Sequence, residues 1–346
     1  MIPRQGTAAP YIPMLIGAVS CVLLARFGFF GFLYLLPLGI MTAGYGFRAA
    51  WLCLILAVLG NGLWSAGTAV FSPQPWDEML WGIVHFTLIA AAFTWMMAPS
   101  FLEPSEGSGN SAPARIPTVY RFVIACCIPV VLILPMIVSL RQDTAFSGFI
   151  RTQAEALSAL YASSAGADVV KQSLLEQYLT PDFILETLIF SALRGGVMVS
   201  CMAFFFINRQ IALALVWVFR RIRKGGILAD FRVPYVFIWA LSCSLLAILA
   251  GRRWEIEPLE ITAWNVLIVC AILYLAQGGG IAAYFITRAN LPPFMRLALN
   301  FLLFLMIVSP GINAVLLGGL ILLGIAENWA PFREPKIKGP SSTPGM

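Results

Sequence analysis

Long unbroken runs of apolar residues dominate the chain, in place of the alternation of a half-buried strand or the one-sided stripe of a surface helix. A helix rises about 1.5 Å per residue and the hydrocarbon core of a bilayer is about 30 Å thick, so about 20 such residues make one spanning helix. Six runs have that length: residues 49–70, 79–97, 119–140, 183–207, 233–250 and 261–286. Two longer stretches are interrupted. Residues 11–45 contain Arg26 and suit two short spans with a tight turn at Arg26-Phe27-Gly28. Residues 297–326 are broken by Ser309-Pro310-Gly311, where proline lacks a backbone donor and the Pro-Gly pair favours a turn or kink. The pattern predicts an all-α, polytopic integral membrane helical bundle of about 8–10 transmembrane helices, with ten as the preferred count.

Composition agrees. Of 346 residues, 60% are apolar and 11% charged, and the mean hydropathy is +0.87. A soluble domain carries roughly a quarter charged residues, so a water-soluble globule is excluded. The net charge of +6 is read from its distribution and does not point to nucleic acid. With the N-terminus cytoplasmic and ten alternating spans, fifteen Lys/Arg fall inside, six outside and Arg194 within a span. That is a positive-inside pattern with both termini cytoplasmic. The opening MIPRQGTAAP has no small-residue cleavage site after its first apolar run, so the first span is expected to stay.

The spans group into blocks. Residues 1–97 form an N-terminal four-span block, and 98–118, with the Ser/Gly/Pro-rich SFLEPSEGSGNSAPARIP, read as a flexible cytoplasmic linker. Residues 119–335 form a C-terminal multi-span block, and 336–346 a disordered tail. Within the second block, 141–181 is an extracytoplasmic amphipathic segment of two helices, split at Ser163-Ser164-Ala165-Gly166. It either lies on the membrane surface or forms a lid over an outward pocket.

Chemistry is sparse. The seven cysteines lie in apolar runs without disulfide or metal spacing, His85 is the only histidine, and no metal site, catalytic residue or cofactor is expected. No P-loop occurs, so the chain has no ATPase of that type. An ionisable group inside a span is a functional candidate because insertion alone costs at least about 2.5 kcal/mol. Arg194 is that group, about 16 Å along its helix and followed by Gly195-Gly196; Glu186 lies eight residues earlier, about 80° round the helix. Gln277-Gly278-Gly279-Gly280 is the other unusual feature, since three glycines mark a helix break, a tight crossing or an approach to ligand. Arg194, Gln277, Gly278, Gly279, Gly280 and Glu186 are therefore the candidate ligand-binding residues. Asn61, Asn265, Asn300 and Asn313 suit hydrogen bonds between helices. Arg220, Arg221, Arg223 and Lys224 form a basic cluster that fixes orientation or meets anionic lipid or a partner.

Several segments resemble the YybS-like family of predicted bacterial membrane proteins, classed as a domain of unknown function: LLPLGIMTAGYGFRAAWLCLILAVL, ILADFRVPYVFIWAL, LYLAQGGGIAAYFITR and the ending LLGIAENWAPFREP, which departs from the family around Glu327-Asn328, where the usual acidic residue of the final cap is replaced. The resemblance covers roughly residues 10–335. It implies a multi-pass protein of the bacterial cytoplasmic (inner) membrane, loosely related to the substrate-binding subunits of energy-coupling-factor transporters. On that reading the chain binds substrate or takes part in transport, and its partners are membrane lipids and a separate ATPase module. The alternative is a non-transporting membrane scaffold that engages cell-envelope proteins through the basic cluster or the 141–181 segment.

Overall fold

The computed structural model describes residues 11–71, 76–98, 118–140, 142–165, 180–220, 231–289, 292, 294–295, 298–299, 302, 305, 309, 312–330 and 332–333. Helices account for nearly all of them, and among the described residues there is no strand. Among the described residues six helices are long and apolar enough to cross a membrane, and three shorter apolar segments accompany them. This is an all-α polytopic membrane protein.

The helices are α1 (Tyr11–Arg26), a 3-10 turn (Gly28–Leu33), α2 (Leu36–Tyr45), α3 (Phe47–Phe71), α4 (Trp76–Met97), α5 (Thr118–Leu140) and α6 (Thr144–Ala165). They continue with α7 (Pro181–Ser191), a π-helical turn (Ala192–Gly196), α8 (Val197–Arg220), α9 (Val236–Arg253), α10 (Glu257–Arg288) and α11 (Ile312–Ala326). The six uninterrupted apolar runs each coincide with one of the long helices. The 11–45 stretch divides at Phe27, which is extended at φ −81° and ψ 99°. The first half of the 297–326 run, Asn300 included, lies largely outside the described residues, so the tenth expected span is not among the helices above.

The chain forms two compact units, residues 1–224 and 225–346. The division therefore falls well past the 98–118 linker, most of which lies outside the described residues along with the 336–346 tail. Helices on either side of that linker pack together: α4 lies against α5, and α2 against α8. The Arg121 guanidinium secures the first of these contacts by donating from Nη1 to the Ala98 carbonyl at 2.8 Å, satisfying an acceptor at the end of α4.

Within the first unit α2 is central, touching α1, α3, α4 and α8. Its ten residues span only about 15 Å, half of what crossing requires, but Pro37, Leu38, Met41 and Thr42 are buried. Asn208 on α8 holds the preceding 3-10 turn, donating to Phe32 O at 2.8 Å and to Phe204 O at 2.9 Å. Gly46 separates α2 from α3 at φ +97°, a left-handed stop that suits glycine. α5 keeps two internal prolines, Pro129 and Pro135, as membrane helices tolerate.

The first half of the expected amphipathic segment is α6, capped by Asp143, whose Oδ1 accepts from Ala145 N at 2.8 Å. The proposed second half, residues 166–179, lies outside the described residues. α7 begins at Thr180, whose hydroxyl accepts from Phe183 N, with Pro181 and Asp182 in the first turn. In the second unit α9 and α10 form a hairpin through Glu255, at φ +55°, and α10 packs against both α9 and α11.

Candidate functional site

The sequence candidates fall into two places. Arg194 and Glu186 belong to the first unit; Gln277 and Gly278 to Gly280 belong to the second.

Residues Pro181–Val216 form one apolar helical stretch of 36 residues, but it is not straight. Between Ala192 and Gly196 the ladder widens to a π-turn, with Arg194 at φ −81°, ψ 22° and Gly195 at φ +122°, ψ −7°. Only glycine takes the Gly195 dihedrals without strain. The next residue is equally restricted, because a Cβ on Gly196 would lie 2.9 Å from the Ser191 carbonyl oxygen. The Gly195-Gly196 pair forms a bend in the helix. Wide turns of this kind free backbone groups from the i→i−4 ladder and recur at functional sites.

Arg194 sits in that bend, half-buried. Its guanidinium carbon lies 3.2 Å from the centroid of the Phe190 ring, a cation–π stack. Glu186, Phe190 and Arg194 follow at four-residue spacing, with Glu186 exposed. Phe190 was not singled out from sequence; its signal was that spacing. α5 packs beside the bend, and α6 beside α7.

The second place is a helix crossing. Across Gln277-Gly278-Gly279-Gly280, α10 continues unbroken to Arg288. Of the three readings of the triple glycine, the tight crossing applies at Gly278. A Cβ there would run into the Leu320 carbonyl of α11, and one on Gly324 would run into the Tyr274 carbonyl of α10. The two backbones thus touch through reciprocal glycines, the small-residue contact by which membrane helices pack closely. Gly324 had no periodic signal in the sequence because its partner lies far away in the chain.

Gln277 is buried at that crossing. Its Oε1 accepts from Val233 N at 2.6 Å and its Nε2 donates to Gly324 O at 2.9 Å. The amide therefore ties the start of the second unit and α11 onto α10. A further buried link lies nearby in sequence. Arg333 Nε donates to Glu327 Oε1 at 2.6 Å, its Nη2 contacts Glu327 Oε2, and the same Nη2 donates to Phe231 O at 2.9 Å. Both charged side chains are almost fully shielded, at 4% and 6% exposure. Asn328 donates to Ile325 O at 2.9 Å and reaches the Tyr274 hydroxyl at 3.5 Å.

Two of the remaining polar candidates, His85 and Asn265, place a side-chain nitrogen against a carbonyl one turn back in their own helices. His85 Nδ1 lies 3.0 Å from Trp81 O, and Asn265 Nδ2 donates to Ile261 O at 2.9 Å. Asn313 N donates to Ser309 O at 3.1 Å. Asn61 does link helices, accepting from Arg26 at 2.8 Å. In the basic cluster Arg220 closes α8, while Arg221, Arg223 and Lys224 lie outside the described residues.

No curated protein and no solved structure matches the chain. A family model described as "Predicted membrane protein (DUF2232)" matches residues 115–322, which takes in α5 to α10 and most of α11 and hence both candidate places. The match covers more than half of the chain, which therefore belongs to this family of membrane proteins.

Proposed function

We propose that this membrane protein is a substrate-binding component of a transport system, taking a small anion at the Arg194 bend and relying on a separate ATPase. The observation that carries this reading is the combination at one point of a widened, glycine-hinged backbone and a half-buried guanidinium. Interrupted membrane helices place backbone groups and charge where substrates bind in many transporters, and an intramembrane arginine is a natural partner for a carboxylate or phosphate. Kinship with the YybS-like proteins, and through them with the substrate-capture subunits of energy-coupling-factor transporters, belongs to the same proposal. So does placement in a bacterial inner membrane with both ends cytoplasmic, for which the Lys/Arg distribution is the support.

Native mass spectrometry of the full chain released from its own membrane tests this. A retained small anion that disappears in Arg194→Ala, with partial retention in Arg194→Lys through loss of the bidentate fork, is the expected result. Equal retention in wild type and Arg194→Ala would remove the site. The scaffold reading draws on the second unit, where Gln277 is bonded at both ends and Gly278 is filled by a neighbouring backbone. It is preferred if no small molecule is retained and envelope proteins co-purify instead of an ATPase.

A further inference from the structure

Arg209 lies inside the apolar stretch Pro181–Val216 and stands on the packed side of α8. At 100° per residue it shares an arc of about 120° with Met202, Phe205, Asn208, Ala212 and Val216, all of them buried. The exposed side, with Val199, Phe206, Ile207 and Val218, is centred about 120° away round the helix. An arginine that merely snorkels along lipid belongs on that other side.

Two layers of contacts fix its depth. Tyr34 stacks on Phe86 at 5.3 Å and meets Phe204 at 5.8 Å. A Cβ on Gly39 would lie 2.7 Å from Ala212 Cβ and 3.4 Å from the Phe93 ring. Residue numbers rise together from the first layer to the second, so the α2 segment, α4 and α8 run the same way, and Arg209 lies between the layers. The nearer opening is the end of α4 at Met97, about 10 Å from the level of Arg209 at 1.5 Å per residue.

Arg209 is half-buried, and among the described residues its guanidinium has no hydrogen-bond or ion-pair partner. All five of its N–H donors are uncommitted. The helices around it supply no counter-charge. Ala212 and Asn208, which meet α2 and the turn before it, are about 60° and 100° round α8 from Arg209, which leaves it on the flank where α5 packs. Neither α2, α5 nor α8 contains Asp or Glu. On α4, Asp77 and Glu78 stand at least eight residues, about 12 Å, beyond Phe86. The charged residue of α5 is Arg121, a like charge already donating to Ala98 O. A shielded cation without a partner is costly, and an oxyanion removes that cost by bidentate hydrogen bonding.

We propose that Arg209 binds a small oxyanion of the phosphate or carboxylate type between α8 and α5, entered from the end of the bundle where α4 stops. A phospholipid headgroup shares the chemistry, but its acyl chains would require the exposed side of α8. The site does not rest on the Arg194 reading.

The test is thermal unfolding of the full chain in detergent, with inorganic phosphate titrated against chloride at equal ionic strength and, separately, with phosphatidylglycerol added to the micelles. Phosphate should raise the midpoint of wild type, and the concentration dependence gives its affinity. Arg209→Gln should weaken phosphate at least about tenfold, the value of a hydrogen-bonded charge. Arg252→Gln, which removes a cation already paired with Glu260 at 3.1 Å, should change it less than about twofold. Where Arg209→Gln does not fold, Arg209→Lys decides, with a loss of about threefold expected because the charge stays and the fork is lost. Unchanged phosphate affinity in the deciding variant overturns the assignment, as does an Arg209-dependent response to phosphatidylglycerol alone. A phosphate response abolished by Arg194→Ala but kept by the deciding variant overturns it too, and leaves the reading of the bend standing.

Discussion

Among the glycine runs in the apolar helices of this protein, two use glycine for opposite purposes. At Gly195-Gly196 the backbone leaves the α-helical ladder, turning through φ +122° to make a π-turn. At Gly278 to Gly280 the helix runs on, and the missing side chain of Gly278 is replaced by the backbone of α11. The first exploits glycine's dihedral freedom and the second its lack of a Cβ. The bend loosens backbone hydrogen bonding beside Arg194, whereas the crossing closes the space beside Gln277. A mobile or ligand-accepting element is thus better sought in the first unit, and a rigid one in the second.

The sharpest test of that contrast is Gly278→Val. With a carbonyl occupying the Cβ position and no flexible side chain to yield, the helices must separate, and a destabilisation of about 4 kcal/mol is expected. A fall in the thermal midpoint of the purified protein would register it. Next comes the buried pair. Glu327→Gln or Arg333→Met alone should cost about 3 kcal/mol by stranding a shielded charge, while Glu327→Leu with Arg333→Met should recover most of it. If the double variant is as unstable as either single one, the pair is not acting as a unit.

A smaller effect is expected at the bend. Gly195→Ala should lower stability by about 1–2 kcal/mol, because alanine is strained at φ +122°. Its second signature should be altered retention of the anion proposed to bind at Arg194, a readout that Gly278→Val has no reason to share. Equal losses for Gly195→Ala and Gly278→Val, with no difference in ligand response, would dissolve the distinction. The smallest effect belongs to Gly318→Ala. No atom lies within 4 Å of the point its new methyl group would occupy, so the change should be neutral or stabilise by up to about 1 kcal/mol through helix propensity. It serves as the control that glycine on α11 matters only where α10 touches it.

Much of the architecture was legible because a bilayer imposes a simple rule. The six long helices match the uninterrupted apolar runs, and the break near Arg26 appears as the extended Phe27. Domain organisation was less legible. A Ser/Gly/Pro-rich stretch looks like a boundary, yet α4 and α5 on either side of it pack together, because composition describes a connection and not what it connects. At the candidate site, Arg194 was visible as a charge in an apolar run. Its stack on Phe190 was visible only as a four-residue spacing among many.

The sequence by itself determined that this chain lives in a membrane as helices, since 11% charged residues cannot clothe a soluble surface and lipid requires every backbone group to be bonded within its own segment. It also determined where costly groups sit, because an arginine or a triple glycine in an apolar run is conspicuous at any fold. Only the tertiary structure decided what those groups do. Whether glycine bends a helix or admits another depends on whether a neighbour's backbone is there to occupy the space. Whether a glutamine such as Gln277 faces a ligand or knits helices depends on which unpaired donor and acceptor, here Val233 N and Gly324 O, the fold brings within about 3 Å. Those partners lie 44 and 47 residues away along the chain, beyond any local pattern.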